Sequence, residues 1–150
     1  DTEEQLRAQL KRLLESQKMT EQEAECIRIR DIRRFVESRL GQRMKKAAMK
    51  KHLYREQPFV IQRSASMLDD GWKNETVLVQ GIIDAYFMEE EEIVLVDYKT
   101  DRVKRGQEQK LIDLYHVQLE DYARALERMT GKRVKEKIIY SFTLQKEILL

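Results

Sequence analysis

The chain is predicted to form an α/β domain, a mixed central sheet of four to five strands flanked by helices, with a helical segment ahead of it. Three observations carry that reading. Apolar residues recur at three and four spacing up to about Lys50, strand-like apolar runs replace them from Leu53 to Thr100, and a second helical stretch precedes the last strand-like run.

Each element follows in order. Leu6, Leu10, Leu13 and Leu14 keep helical spacing, predicting an amphipathic helix from Glu3 to about Ser16. Thr20 with Glu23 forms a capping-box pattern for a second helix, continued by Ile27, Ile32, Phe35, Val36 and Leu40 and ended by Gly41. Alanines, methionines and lysines predict a further short helix from Gln42 to about Lys50. Tyr54 to Gln62 reads as a strand in which Pro58 suits an edge or a bulge, and Asp69-Asp-Gly71 with Asn74 marks a turn. Two apolar strands come next, Glu75 to Phe87 and Ile93 to Thr100, joined by a short acidic loop from Met88 to Glu92. Leu111, Leu114, Tyr115, Gln118, Leu119, Tyr122 and Leu126 line one side of a long helix ending at Gly131. Val134 to Phe142 and Thr143 to Leu150 supply one or two closing strands. No repeat, low-complexity segment or linker interrupts the chain, so one domain is expected over residues 1–150, helical to about 52 and with its core from about 53.

Composition narrows the function. With 41% apolar and 37% charged residues the chain reads as a soluble, surface-rich protein, and no apolar run approaches the roughly eighteen residues a membrane span needs. There is no signal-peptide pattern, and the single cysteine, Cys26, excludes an internal disulfide and a cysteine-built metal site; a reducing cytoplasm is the expected compartment. The net charge of +2 is nearly balanced but unevenly spread. Arg28, Arg30, Arg33, Arg34, Arg43, Lys45, Lys46, Lys50 and Lys51 make the first half basic, which reads mainly as a solvated helix face. Arg102, Lys104 and Arg105 directly follow a strand and are candidates for phosphate contacts. The chain has no Gly-x-x-x-x-Gly-Lys-Ser/Thr loop, so it is not expected to hydrolyse ATP. His52 and His116 form no His-x-x-x-His pair, which weakens a zinc-hydrolase reading, and there is no serine nucleophile elbow.

The chemistry concentrates where charge interrupts apolar strands. Asp84 closes the run Val77 to Ile83, and Asp97 closes Ile93 to Val96. Paired as an antiparallel hairpin, the two acids stand about opposite one another, with β-carbons about 4.5 to 5.5 Å apart, where like charges repel. A divalent cation between them turns that cost into a binding site, and oxygen donors without thiolates favour Mg²⁺ or Mn²⁺ over zinc. Lys99, two residues beyond Asp97, projects from the same strand face and can position an attacking water and offset charge on a scissile phosphate. In outline this is a metal-dependent phosphodiesterase site.

Gly81-Ile-Ile-Asp84, Val96-Asp-Tyr-Lys-Thr-Asp101 and Tyr115-x-x-Gln-Leu-x-x-Tyr122, in that order, resemble the RecB-type nuclease domains of the PD-(D/E)xK superfamily. Arg55-Glu56-x-Pro-Phe and Leu126-Glu-x-x-Thr-Gly131 extend the likeness toward the C-terminal nuclease domains of bacterial ATP-dependent helicase/nucleases built from two chains, from about Glu21 to the C-terminus. The resemblance implies a restriction-endonuclease-like core and Mg²⁺-dependent cleavage of DNA strands unwound by an attached helicase in double-strand break repair. It implies as partners the helicase portion of the same chain and a second helicase/nuclease subunit. By the same resemblance Asp84, Asp97 and the backbone carbonyl of Tyr98 are metal ligands and Lys99 is the catalytic lysine. Gln118 and Tyr122 match the family's helix motif, organising the site or contacting DNA, with core packing an equal reading for Tyr122. Glu56 matches a strand motif, with a structural salt bridge or an edge position an equal reading. The family usually carries a histidine ligand on an upstream helix, a place neither His52 nor His116 occupies. The chain, which begins at Asp1, is therefore expected to be a fragment that folds but cuts poorly. A non-catalytic DNA-binding or subunit-docking module of the same fold is the alternative from another class, and a stand-alone endonuclease differs only in partners.

Overall fold

The computed structural model describes residues 3–15, 21–64 and 76–150. Its centre is a five-stranded sheet whose spatial order follows the chain: β1 (Leu53–Ser64), β2 (Thr76–Glu89), β3 (Glu92–Lys99), β4 (Val134–Ser141) and β5 (Lys146–Leu149). All neighbours are antiparallel except β3 and β4, which run parallel. A parallel pair needs a crossover, and α4 (Glu108–Thr130) supplies it. Gly131 ends that helix at φ 71°, its N–H bonding to the Glu127 carbonyl, in a left-handed conformation that only glycine adopts cheaply.

Helices cover both faces. On one, α1 (Glu3–Glu15), α2 (Glu21–Glu37) and α3 (Arg39–Met49) place Leu6, Leu10, Phe35, Leu40 and Met44 against Ala85, Phe87, Val94, Val96 and Tyr140. Phe35 sits edge-on to Tyr140 and to Tyr98, with ring centroids 4.7 Å and 5.5 Å away. On the other, Leu111, Leu119 and Leu126 of α4 meet Ile83, Ile93, Leu95 and Ile139. Because β3 is covered from both sides, every residue from Ile93 to Tyr98 is buried, which explains its unbroken apolar run and isolates Asp97 as a charge inside it.

Two expectations are corrected. Gly41 does not stop the second helix; α2 ends at Glu37, Ser38 caps α3 through its side-chain oxygen, and Gly41 lies in the first turn of α3. A β-carbon at Gly41 would lie 2.1 Å from the Phe35 carbonyl oxygen, so glycine is there for close approach of the two helices. Likewise, the β2–β3 loop is shorter than Met88 to Glu92. Glu89 pairs with Glu92 and only Glu90 and Glu91 turn the chain, at φ 50° and 69°. Left-handed glutamates are uncommon. Basic side chains secure the turn: Arg43 lies 2.7 Å from Glu89 and 2.8 Å from Glu136, Lys135 lies 3.2 Å from Glu89, and Lys132 pairs with Glu91. Arg43, then Lys135, hold the Glu89 carboxyl down at about 2, against some opposing effect of burial.

A further feature, on which the sequence carried no expectation, bears on the site. Side chains two apart on a strand share a face, yet Ile83 belongs to the α4-side core and Ala85 to the core under α1–α3. The alternation reverses at Asp84 while the β1–β2 register stays constant across it, from Arg55↔Ala85 to Gln57↔Ile83. Opposite Asp84 stands Glu56, in a left-handed conformation at φ 51°. β1 is an edge strand, as Pro58 requires. Expectations on Thr20, Asp69–Gly71, Asn74 and the side chains of Cys26 and Arg28 fall outside the described residues.

Candidate active site

Two acids meet where β2 and β3 part. The ladder between these strands begins at Ala85↔Val96, so one further step in the same register sets Asp84 across from Asp97. Asp97 is 3% exposed. Asp84 Oδ2 accepts the backbone N–H of Tyr98 at 2.9 Å, which ties its carboxylate to β3. The Asp84 backbone carbonyl in turn accepts from Gln9 Nε2 of α1 at 2.8 Å. Burial, then the charge of Asp97, push the Asp84 carboxyl from 3.8 up to about 7; the Tyr98 N–H and the Lys99 ammonium act the other way without prevailing.

Lys99 is held beside these acids. Its Nζ lies 2.9 Å from Asp97 Oδ2, donates to Gln118 Oε1 at 3.1 Å and sits 3.9 Å from the centroid of the Tyr115 ring. The contact with Asp97 Oδ2 is close without being well directed, and that buried oxygen has no hydrogen-bond partner among the described residues. Tyr98, between the two, points the opposite way into the helical core, as strand alternation dictates, its hydroxyl 4.0 Å from Met44 Sδ.

The other candidates divide. Gln118 is at the centre, through Lys99. Tyr122 is buried in the α4-side core, edge-on to Phe59 at 5.0 Å, and is close enough to the acids that burial and then the charges of Asp97 and Asp84 push its phenol up to about 12. Both the packing reading and proximity to the acids therefore describe Tyr122. Glu56 is not part of the cluster: it pairs with Arg12 of α1 at 2.5 Å and is half exposed. Arg102 and Lys104 are exposed on the loop leaving β3. His52 lines a cleft of about 650 Å³ beside the β2–β3 turn, away from the acids, and the His116 ring bonds the Ile112 and Asp113 carbonyls of its own helix. Glu89 and Glu91 in that cleft are already paired with Arg43, Lys135 and Lys132, which leaves them poorly placed to take a cation.

Two side chains had no role assigned from the sequence. Tyr115 covers Lys99 with its ring and donates its O–H to Asp101 Oδ2 at 2.6 Å. The signal was present in the spacing, because Asp97, Lys99 and Asp101 are successive alternate residues. Gln9 could not have been found, since it reaches Asp84 across 75 positions of sequence.

A family model described as the PD-(D/E)XK nuclease superfamily matches residues 1–148. The chain is also similar to proteins named as the A-type subunits of ATP-dependent helicase/nucleases. It is 39% identical over 150 residues to that of Clostridium novyi (strain NT), covering 97% of this chain and 12% of the relative. It is 43% identical over 144 residues to that of Acetivibrio thermocellus, covering 93% and 11%, and 41% identical over 141 residues to that of Thermoanaerobacter sp. (strain X514), covering 91% and 11%. The chain thus spans about an eighth of the length of the curated relatives it matches.

Proposed function

The chain belongs to the PD-(D/E)XK nuclease superfamily, and from that premise we propose that it hydrolyses DNA phosphodiester bonds with a divalent cation, Mg²⁺ or Mn²⁺ in its place. The observation that carries the proposal is the meeting of Asp84 and Asp97 beside the Lys99 ammonium. Asp84, Asp97 and the backbone carbonyl of Tyr98 would hold the ion. The donors are oxygen only, and burial together with the charge of Asp97 pushes the Asp84 carboxyl up, both of which fit a cation. When bound, such an ion lowers the pKa of a water and polarises a phosphoryl oxygen.

The chain's own residues do the rest. Lys99 offsets charge growing on the scissile phosphate and orients the attacking water. Gln118 fixes the direction of that ammonium. Arg102 and Lys104 engage phosphates flanking the cleaved bond, supplying affinity without sequence preference. No group of three or more His, Cys, Asp or Glu side chains capable of holding a metal occurs among the described residues. Two carboxylates plus substrate phosphate are a usual Mg²⁺ set, so we expect weak metal binding without DNA and slow cleavage by this chain alone.

The relatives' names extend the proposal. Residues 1–150 act as one nuclease domain, with its core from about 53, of a longer helicase/nuclease chain in the bacterial cytoplasm. It degrades, as an exonuclease, single strands released by the helicase portion of the same polypeptide during double-strand break repair and recombination, in partnership with a second subunit. No described helix is long and apolar enough to cross a membrane.

The test is cleavage of a single-stranded oligonucleotide across a Mg²⁺ and Mn²⁺ titration. Asp97→Ala is expected to lower the metal-stimulated rate by at least about a hundredfold while leaving DNA affinity in Ca²⁺ or EDTA within about threefold. DNA binding with no metal-stimulated cleavage in the wild type would instead identify a non-catalytic docking module.

A further inference from the structure

We propose that Tyr115, anchored by Asp101, is a positioning residue that fixes the Lys99 ammonium beside the paired acids; the proposal rests on the nuclease reading above. A lysine side chain is a point charge on a flexible four-carbon stem, so a useful direction for it has to be imposed from outside. Lys99 is only 16% exposed and meets three separate groups: Asp97 Oδ2 at 2.9 Å, Gln118 Oε1 at 3.1 Å and the Tyr115 ring at 3.9 Å. Two of the three come from α4, where Tyr115 and Gln118 are three apart and so share a helix face. A cation over an aromatic face is attracted to its negative quadrupole, and more strongly when partly desolvated.

The ring is itself held at its far end. Tyr115 O–H donates to Asp101 Oδ2 at 2.6 Å, and the Asp101 backbone carbonyl accepts from Thr143 Oγ1 at 2.7 Å, next to the end of β4. The Thr143 hydroxyl also lies 3.3 Å from the Thr100 carbonyl, a weaker contact that shares its single proton. The Asp101 carboxylate and partial burial keep the phenol protonated, its pKa pushed up to about 12, so it remains a donor throughout the neutral range. The chain of contacts therefore runs from the β4–β5 connection through Asp101 and Tyr115 to Lys99. Tyr115 is partly buried against the α4-side core, and it also gives its ring face to the ammonium, a contact that packing alone does not require.

Ring-current shifts in the metal-free, DNA-free protein test the geometry directly. The ε-methylene resonances of Lys99, assigned by their loss in Lys99→Arg, are expected upfield of the other lysines, to move part of the way back in Tyr115→Phe, which keeps the ring and loses its anchor, and to return to ordinary positions in Tyr115→Leu. Ordinary positions in the wild type would overturn the proposal. Kinetics test the consequence. Tyr115→Leu is expected to lower kcat about tenfold with KM changed less than about twofold, and Tyr115→Phe to keep kcat within about threefold. In a Lys99→Ala background, Tyr115→Leu is expected to add no further loss; an equal loss in both backgrounds would show that Tyr115 does not act through Lys99 and would overturn the proposal. Lys99→Ala cutting as fast as wild type would instead remove the nuclease role of Lys99 itself, a failure told apart from failure of the clamp by the resonances, which need neither metal nor substrate.

Discussion

At the scale of single residues the decisive quantity is the charge of two carboxyls forced together. Without metal, the Asp84 carboxyl rises from 3.8 to about 7 on folding, through burial and then Asp97. A group whose pKa is raised by folding contributes its stability fully below the unfolded value and loses it as pH rises through the folded one. The metal-free protein is therefore expected to weaken between about pH 4 and 7, by on the order of 1–3 kcal/mol after allowance for incomplete burial. Urea titrations at a series of pH values measure it. Asp84→Asn should flatten that slope, and millimolar Mg²⁺ or Mn²⁺ at pH 8 should raise the midpoint of the wild type but not of the variant. A wild type whose stability is level over this range would contradict the pairing. Of these residues, Asp84, Asp97 and Lys99 stood out in the sequence because charge that closes an apolar strand demands a reason. The position of Glu56 was harder, because its pairing with Arg12 depends on a helix 44 residues away.

Among the elements, the sheet and its crossover helix were readable from period and turn residues, whereas breaks within elements were not. Gly41 carries the lesson. A glycine after a helical run usually marks a stop, but here Ser38 separates α2 from α3 and Gly41 admits the Phe35 carbonyl. Gly41→Ala improves helix propensity and would stabilise an ordinary helix; here it is expected to destabilise by about 2 kcal/mol or more, read as a lower urea midpoint, because the obstacle is backbone. A midpoint equal to or above wild type would mean that α2 and α3 can part without cost. The reversal at Asp84 was equally invisible, since apolar residues on both sides of it satisfy one strand pattern while serving different cores. Its physical signature is a left-handed glutamate on the neighbouring strand, which no composition rule anticipates.

For the whole molecule, two cores share one sheet, and strand order along the chain equals strand order in space. Such a layout is easily inferred from sequence because each strand finds its predecessor. What the sequence withheld was the division of labour across the layers: α1 fastens the back of Asp84 through Gln9, while α4 approaches from the other face with Gln118 and Tyr115. The two acids and the lysine lie on β2 and β3, and the groups that steer the lysine lie beyond the exposed turn at Gly106. That turn is therefore a seam. Opening the polypeptide at Gly106 would yield two halves, one bearing the paired carboxylates proposed to hold the ion and one bearing the helix proposed to steer the lysine. Neither half is expected to cut, and co-expression should restore cleavage by fragment complementation, so that catalytic output reports on the meeting of two separately made pieces.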